Sequence, residues 1–160
     1  MNSSVTLNTL RKQYMLSTTV NKNGTDIYHF LYNTFGTDFN KYIVYDDFTV
    51  CALHTNFDQP QYPLTYKVFP KIYRHDITSI GVNDISIMKH MKMVSSKLAN
   101  NLHNGSKYNS YFDTKIKNIG YEQWLHLNVN FNNSFTMDEN HIDMETAIST
   151  LYHRFMASHP

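Results

Sequence analysis

The chain has 160 residues, with 14 Lys+Arg against 13 Asp+Glu, nine His and a single Cys. A length of this order fits one domain that can bury a core without disulfides or a structural metal, and 41% hydrophobic with 14% aromatic residues is too apolar for a disordered chain. The net charge of +1 excludes a histone-like or polybasic protein, and Cys51 alone cannot close an internal disulfide.

The predicted elements follow from hydrophobic period and punctuation. Residues 14–20 read as a strand. Residues 26–35 read as a short helix, with Ile27, Phe30, Leu31 and Phe35 apolar, Thr25 as N-cap and Gly36 as the stop. Residues 42–45 and 48–53 form a hairpin turning at Asp46-Asp47. Residues 64–73 make a further strand that Pro70 confines to an edge or ends early, because proline donates nothing to the ladder.

The longest helix spans 84–103. Ile87, Met91, Val94, Leu98 and Leu102 fall on one stripe, and Asn104-Gly105 follows as a stop. Residues 108–116 are another strand. Residues 121–131 are the clearest one, with Leu125, Leu127, Val129 and Phe131 facing one way and His126, Asn128 and Asn130 the other. A last helix over 140–156 carries Met144, Ile148, Leu151 and Phe155 on one face, behind a capping-box pattern at 136–139. No repeat or linker divides the chain. The expectation is a single α+β domain over 1–160, a mostly antiparallel sheet packed on one face by two to three helices.

Charge is uneven along the chain: −1 over residues 1–60, +6 over 61–120 and −4 over 121–160. Lys89, Lys92, Lys97, Lys107, Lys115 and Lys117, interleaved with Tyr108, Tyr111 and Phe112, have the character of a single-stranded nucleic-acid surface. Against this, Arg occurs three times in the chain, and Arg is the preferred residue for specific phosphate and base contacts. Charge polarity also suits a protein partner or self-association. Tyr62, Tyr66 and Tyr73, around the extended segment set by Pro60, Pro63 and Pro70, together with outward Met93, are the candidate interface residues.

The histidines do not form a metal motif. No His-x-x-x-His pair occurs, and His141 with Glu145 reads better as a surface pair near a helix start. Cys51 sits in an apolar strand and reads as buried and inert. The five Gly make no phosphate loop or nucleotide cradle and no Gly-x-Ser-x-Gly elbow is present, so no cofactor is expected. The enzymatic candidates are His54 in Leu53-His54-Thr55 and His126 in Leu125-His126-Leu127-Asn128. Two strand histidines about seventy residues apart resemble in outline the two-histidine phosphodiesterases, whose paired His-x-Thr/Ser motifs supply acid and base to a cyclic phosphate. The sequence departs from that pattern: Thr55 follows His54 directly, and Asn128 stands where the second hydroxyl belongs.

No stretch approaches the roughly 18 apolar residues of a membrane span, and Met1-Asn2-Ser3-Ser4 lacks a signal-peptide order. Host-cell cytoplasm or a virion is the expected location. Sequons at Asn2, Asn23, Asn104 and Asn132 number about what chance gives in a chain this rich in Asn, Ser and Thr. The bias toward residues with AT-rich codons, such as 12 Tyr and 10 Phe against five Gly, is common in phages and other viruses. The reading that follows is a non-enzymatic viral or phage structural or assembly protein acting through protein contacts in an oligomer. A single-stranded nucleic-acid binder and a small histidine-dependent phosphodiesterase are the alternatives.

Overall fold

The computed structural model describes residues 26–55, 64–114 and 123–158. Strands β1 (Ile43–Asp46), β2 (Val50–His54), β3 (Thr65–Pro70), β4 (Asn109–Asp113), β5 (Leu127–Asn130) and β6 (His141–Asp143) form one sheet in the order β1-β2-β3-β5-β4-β6. Every neighbouring pair is antiparallel. Helices α1 (Ile27–Phe35), α2 (Ile85–Leu102) and α3 (Met144–Ser158) complete the α+β fold.

Alternation along the strands decides what each face does. Val50, Ala52, Tyr66, Val68, Phe112, Leu127 and Val129 point to one face, where Met88, Met91, Val94 and Leu98 of α2 and Met144, Ala147, Ile148 and Leu151 of α3 cover them. Each fully buried side chain of this size contributes about 1.5–3 kcal/mol of transfer free energy, so this layer is the principal core. Cys51, Leu53 and Phe69 point to the opposite face, under Ile27, Phe30 and Leu31 of α1, and Trp124 joins them. Among the described residues, two helices therefore cover one face of the sheet, and α1 covers part of the other.

Local chemistry sets the ends of the elements. The α1 N-cap is Asp26, whose side chain accepts from the His29 N–H at 2.9 Å, one residue later than the expected Thr25. Gly36 ends the helix at φ 89°. Asn104 and Gly105 follow α2 with φ 53° and 75°, and the Gly105 N–H returns to the Ala99 carbonyl at 2.8 Å. The last helix begins at Met144, not at 140. Residues 141–143 instead pair with β4, whose outer edge needs partners for its N–H and C=O groups, and Asp143 caps α3 by accepting from the Thr146 N–H at 2.8 Å. The expected capping box at 136–139 is displaced with it.

Strand β5 is shorter than the alternation suggests, because the Leu125 N–H donates to the Arg74 carbonyl, outside the ladder. Strand β3 lies inside the sheet, not at an edge, and Pro70 is its last residue. The expected strand at 14–20 lies outside the described residues. Ion pairs join the segments of opposite charge within the fold, Lys92 with Glu145 and Lys71 with Asp46, and within the basic segment Arg74 pairs with Asp84 in a two-bond fork of 2.8 and 3.1 Å. The Tyr28 hydroxyl also donates to Asp46, which ties α1 to the sheet. Among the described residues no helix is long and apolar enough to cross a membrane.

Candidate active site

The ladder registers place Leu53, Lys67, Asn128, Tyr111 and Asp143 in one row across the sheet, on the face that α1 only partly covers. Strand alternation adds Asn130, Asp113 and His141 to the same side. The face is thus apolar beneath α1 and polar over β3, β5, β4 and β6.

His126 stands at the entrance to β5, between these halves. The Trp124 carbonyl can only accept, so Nδ1 carries the proton and donates to it at 3.0 Å, which fixes the tautomer. Trp124 is itself held: its indole N–H donates to the Pro70 carbonyl at 2.8 Å, and its ring packs on Phe30 and Tyr73. The free lone pair of His126 is therefore on Nε2, and Lys67 Nζ lies 3.2 Å from it. Lys67 donates as well to Asn128 Oδ1 at 2.8 Å, and Asn128 Nδ2 donates to Asp113 Oδ2 at 3.2 Å. His141 lies directly across the ladder from Asp113, with Nε2 3.8 Å from its carboxylate.

Burial and, after it, the Lys67 ammonium push the His126 pKa down to about 3, while the Trp124 carbonyl and Asp113 pull the other way. The imidazole is neutral at pH 7. A neutral imidazole with one nitrogen anchored to a carbonyl and the other beside a cation can act as a nucleophile or as a base. The ammonium supplies the charge that holds an anionic oxygen next to it.

The structure does not bring His54 to this site. His54 pairs with Tyr66 and Leu53 with Lys67, so alternation puts His54 on the face of Tyr66, which the core helices cover, while His126 touches Lys67 and Phe69 on the other. His54 packs edge-on against the Tyr42 ring at 5.0 Å, and burial lowers its pKa. The expected pairing of His54 with His126 is therefore not formed; the side chain beside His126 Nε2 is Lys67.

The candidate interface residues are dispersed too. Tyr66 is 1% exposed, and its hydroxyl lies 2.7 Å from His103 Nε2, so it is a core ring. Tyr73 is half-buried against Trp124, Met93 is exposed on α2, and Tyr62 lies outside the described residues. The basic stripe splits between two neighbours: Lys89 lies over the Tyr152 ring and Lys92 pairs with Glu145, both on α3, while Lys97 lies over the Tyr45 ring of β1. Tyr108 packs on Phe131, Lys107 is exposed, and Lys115 and Lys117 lie outside the described residues. Cys51 is buried. No group of three or more His, Cys, Asp or Glu among the described residues is arranged to hold a metal ion.

Sequence reasoning singled out His126 and the polar positions of β5 but missed Lys67 and Asp113. Lys67 alternates with Tyr66 and Val68 in the expected strand, and Asp113 alternates with Phe112, so a signal was present for their facing outward from the core. Nothing in it indicated that three strands would set Lys67 beside His126 and link Asp113 to it through Asn128.

No family model matches this sequence, and a search of curated proteins finds no match. Among solved structures the chain is similar to a HIT family hydrolase from Clostridium thermocellum, at 19% identity and a TM-score of 0.46, over 61% of this chain and 84% of that one. It is similar also to a HIT family hydrolase from Legionella pneumophila, at 19% identity and 0.47, over 61% and 85%. A histidine triad protein from Clostridium difficile matches at 20% identity and 0.49, over 61% and 84%. The expectation of a non-enzymatic viral or phage structural or assembly protein is corrected: these three structures are described as HIT family hydrolases or a histidine triad protein, and none of the three descriptions is viral. Tyr66, one of the expected interface residues, is in the core, and Lys92 pairs with Glu145 within the fold.

Proposed function

We propose that this chain is a histidine-dependent hydrolase of phosphate esters or anhydrides, with His126 as the reacting group and Lys67 as the group that holds the phosphate. The observation that carries this reading is the His126 imidazole itself: neutral, pinned through Nδ1 to the Trp124 carbonyl, with Nε2 at 3.2 Å from the Lys67 ammonium. It rests on these side chains and not on the likeness to the three solved structures.

In the resting site the ammonium donates to the Nε2 lone pair. An anionic phosphate competes for that donor and takes the ammonium onto its own oxygens, which releases the lone pair next to the phosphorus. Attack of Nε2 forms a P–N bond as the P–O bond to the leaving group breaks. Water then cleaves the P–N bond and restores the imidazole, with the proton from water passing to solvent.

The test is hydrolysis of bis(p-nitrophenyl) phosphate, an ester, and of a nucleoside 5′-diphosphate, an anhydride. His126→Ala should lower the rate by about a hundredfold or more, and Lys67→Met should raise KM as well as lower kcat. Under rapid quench, mass spectrometry should find a phosphate adduct on His126. Hydrolysis that persists in His126→Ala at the native rate, or native protein that turns over neither substrate, refutes the proposal.

A further inference from the structure

Asn128 lies between two groups that each accept one orientation of its amide. The Lys67 ammonium only donates and the Asp113 carboxylate only accepts, so Asn128 must turn Oδ1 to Lys67 and Nδ2 to Asp113, and its bonds of 2.8 and 3.2 Å obey that rule. Asn128 is 8% exposed, which leaves the amide little water to choose instead. The three groups come from three adjacent strands, β3, β5 and β4, and Asn128 is in register with Lys67 on one side and Tyr111 on the other. Backbone ladders therefore fix the spacing of the chain from Asp113 to Lys67, and the amide is its one reversible link.

We propose that Asp113 is a positioning residue for this site: by dictating the orientation of Asn128, it holds the Lys67 ammonium against His126 Nε2. Its functional meaning rests on the reading of His126 and Lys67 as the reacting pair. Asp113 acts from a distance, through the amide, and touches neither reacting group. With an amide at position 113 only the Lys67 ammonium still selects the orientation of Asn128, so the reversed amide becomes accessible whenever Lys67 moves off. In the reversed one an NH₂ group faces the ammonium, donor against donor, and Lys67 turns away. The field at the site argues for the same division of labour, since Lys67 lowers the proton affinity of His126 more strongly than Asp113 raises it.

The decisive measurement is the 15N shift of His126 Nε2 at pH 7 in protein labelled at histidine, because an unprotonated imidazole nitrogen moves downfield when it loses a hydrogen-bond donor. Lys67→Met defines the donor-free position. Asp113→Asn and Asn128→Leu should both move Nε2 toward that position, with the fold retained by circular dichroism. Asn128→Leu keeps the charge of Asp113 in place, so a shared response separates positioning from a remote charge effect. If both variants leave Nε2 at its native shift while Lys67→Met moves it, the proposal is overturned.

A second readout is a double-mutant cycle in kcat/KM on bis(p-nitrophenyl) phosphate. Asp113→Asn should cost about tenfold in the native background and less than about twofold once Lys67 is Met. Equal costs in the two backgrounds overturn the positioning role. The two proposals fail separately: a chain that hydrolyses neither substrate but shows the Nε2 shift loses the hydrolase reading and keeps the positioning, and an active chain without the shift does the reverse.

Discussion

Replacing Trp124 with Phe probes the link between the fold and the site. Trp124 is 1% exposed, its indole N–H donates to the Pro70 carbonyl at 2.8 Å, and its ring centroid is 5.6 Å from Phe30 and 5.1 Å from Tyr73. Phe keeps most of the ring contacts but removes the donor and leaves the Pro70 carbonyl buried without that partner, at about 1–3 kcal/mol. The smaller ring loses roughly a further 1 kcal/mol of buried area and packing. A total near 3 kcal/mol should lower Tm by roughly 6–12 °C in a chain of this size. Since this is the only tryptophan, unfolding is followed by far-UV circular dichroism in urea. The Trp124 carbonyl also accepts from His126 Nδ1, so loosening this residue should broaden the His126 imidazole signals while stability falls. A loss below about 0.5 kcal/mol refutes the view that this hydrogen bond and ring fix the approach to β5.

Acidification gives a second outcome. His126 has a folded pKa depressed to about 3 by burial and by Lys67, and burial lowers those of His54 and His103 as well. The unfolded chain therefore binds protons first, so this stability is complete above about pH 6.5 and is lost as pH falls from there toward about 3. The urea midpoint should fall between pH 7 and pH 4.5, less steeply in His126→Gln, and a midpoint constant over that range would contradict the assignment. Arg74→Met strands the Asp84 carboxylate, whose side chain is 6% exposed, with the Gly81 N–H still donating to it. Arg74 is itself partly solvated, so the cost should be about 2–3 kcal/mol in urea unfolding, and a neutral result would mean that water replaces the guanidinium. Gly105→Val forces a β-branched residue to φ 75°, where an added Cβ meets only Asn100 at 3.6 Å. The strain alone should cost about 1–2 kcal/mol, while Gly105→Asn should cost much less; equal losses would point to packing as the cause.

Much of the fold was legible in the chain because it is written in local periods. The stripe of Met91, Val94 and Leu98 recurs at the helical spacing, and Leu127 and Val129 alternate with Asn128 and Asn130, so an α+β sheet with one dry face follows from residues close in sequence. Elements that depend on a distant partner were not legible. Residues 141–143 have helical neighbours and form a strand only because β4 offers them an open edge, and β5 starts late because Arg74 captures the Leu125 N–H.

The candidate site divides in the same way. The sequence by itself determined that His126 would lie on the side of the sheet away from Leu127 and Val129 and that Cys51 would be buried. Which histidine meets which partner was decided by tertiary structure. A one-residue offset in strand register exchanges the two faces of a sheet, and the β2–β3 register that pairs His54 with Tyr66 directs it away from His126. The same ladders carry Lys67 and Asp113, distant in sequence, to either side of Asn128. Hydrophobic period fixes the faces locally, but the neighbours of a polar group across a sheet depend on strand order and register, which only the assembled fold supplies.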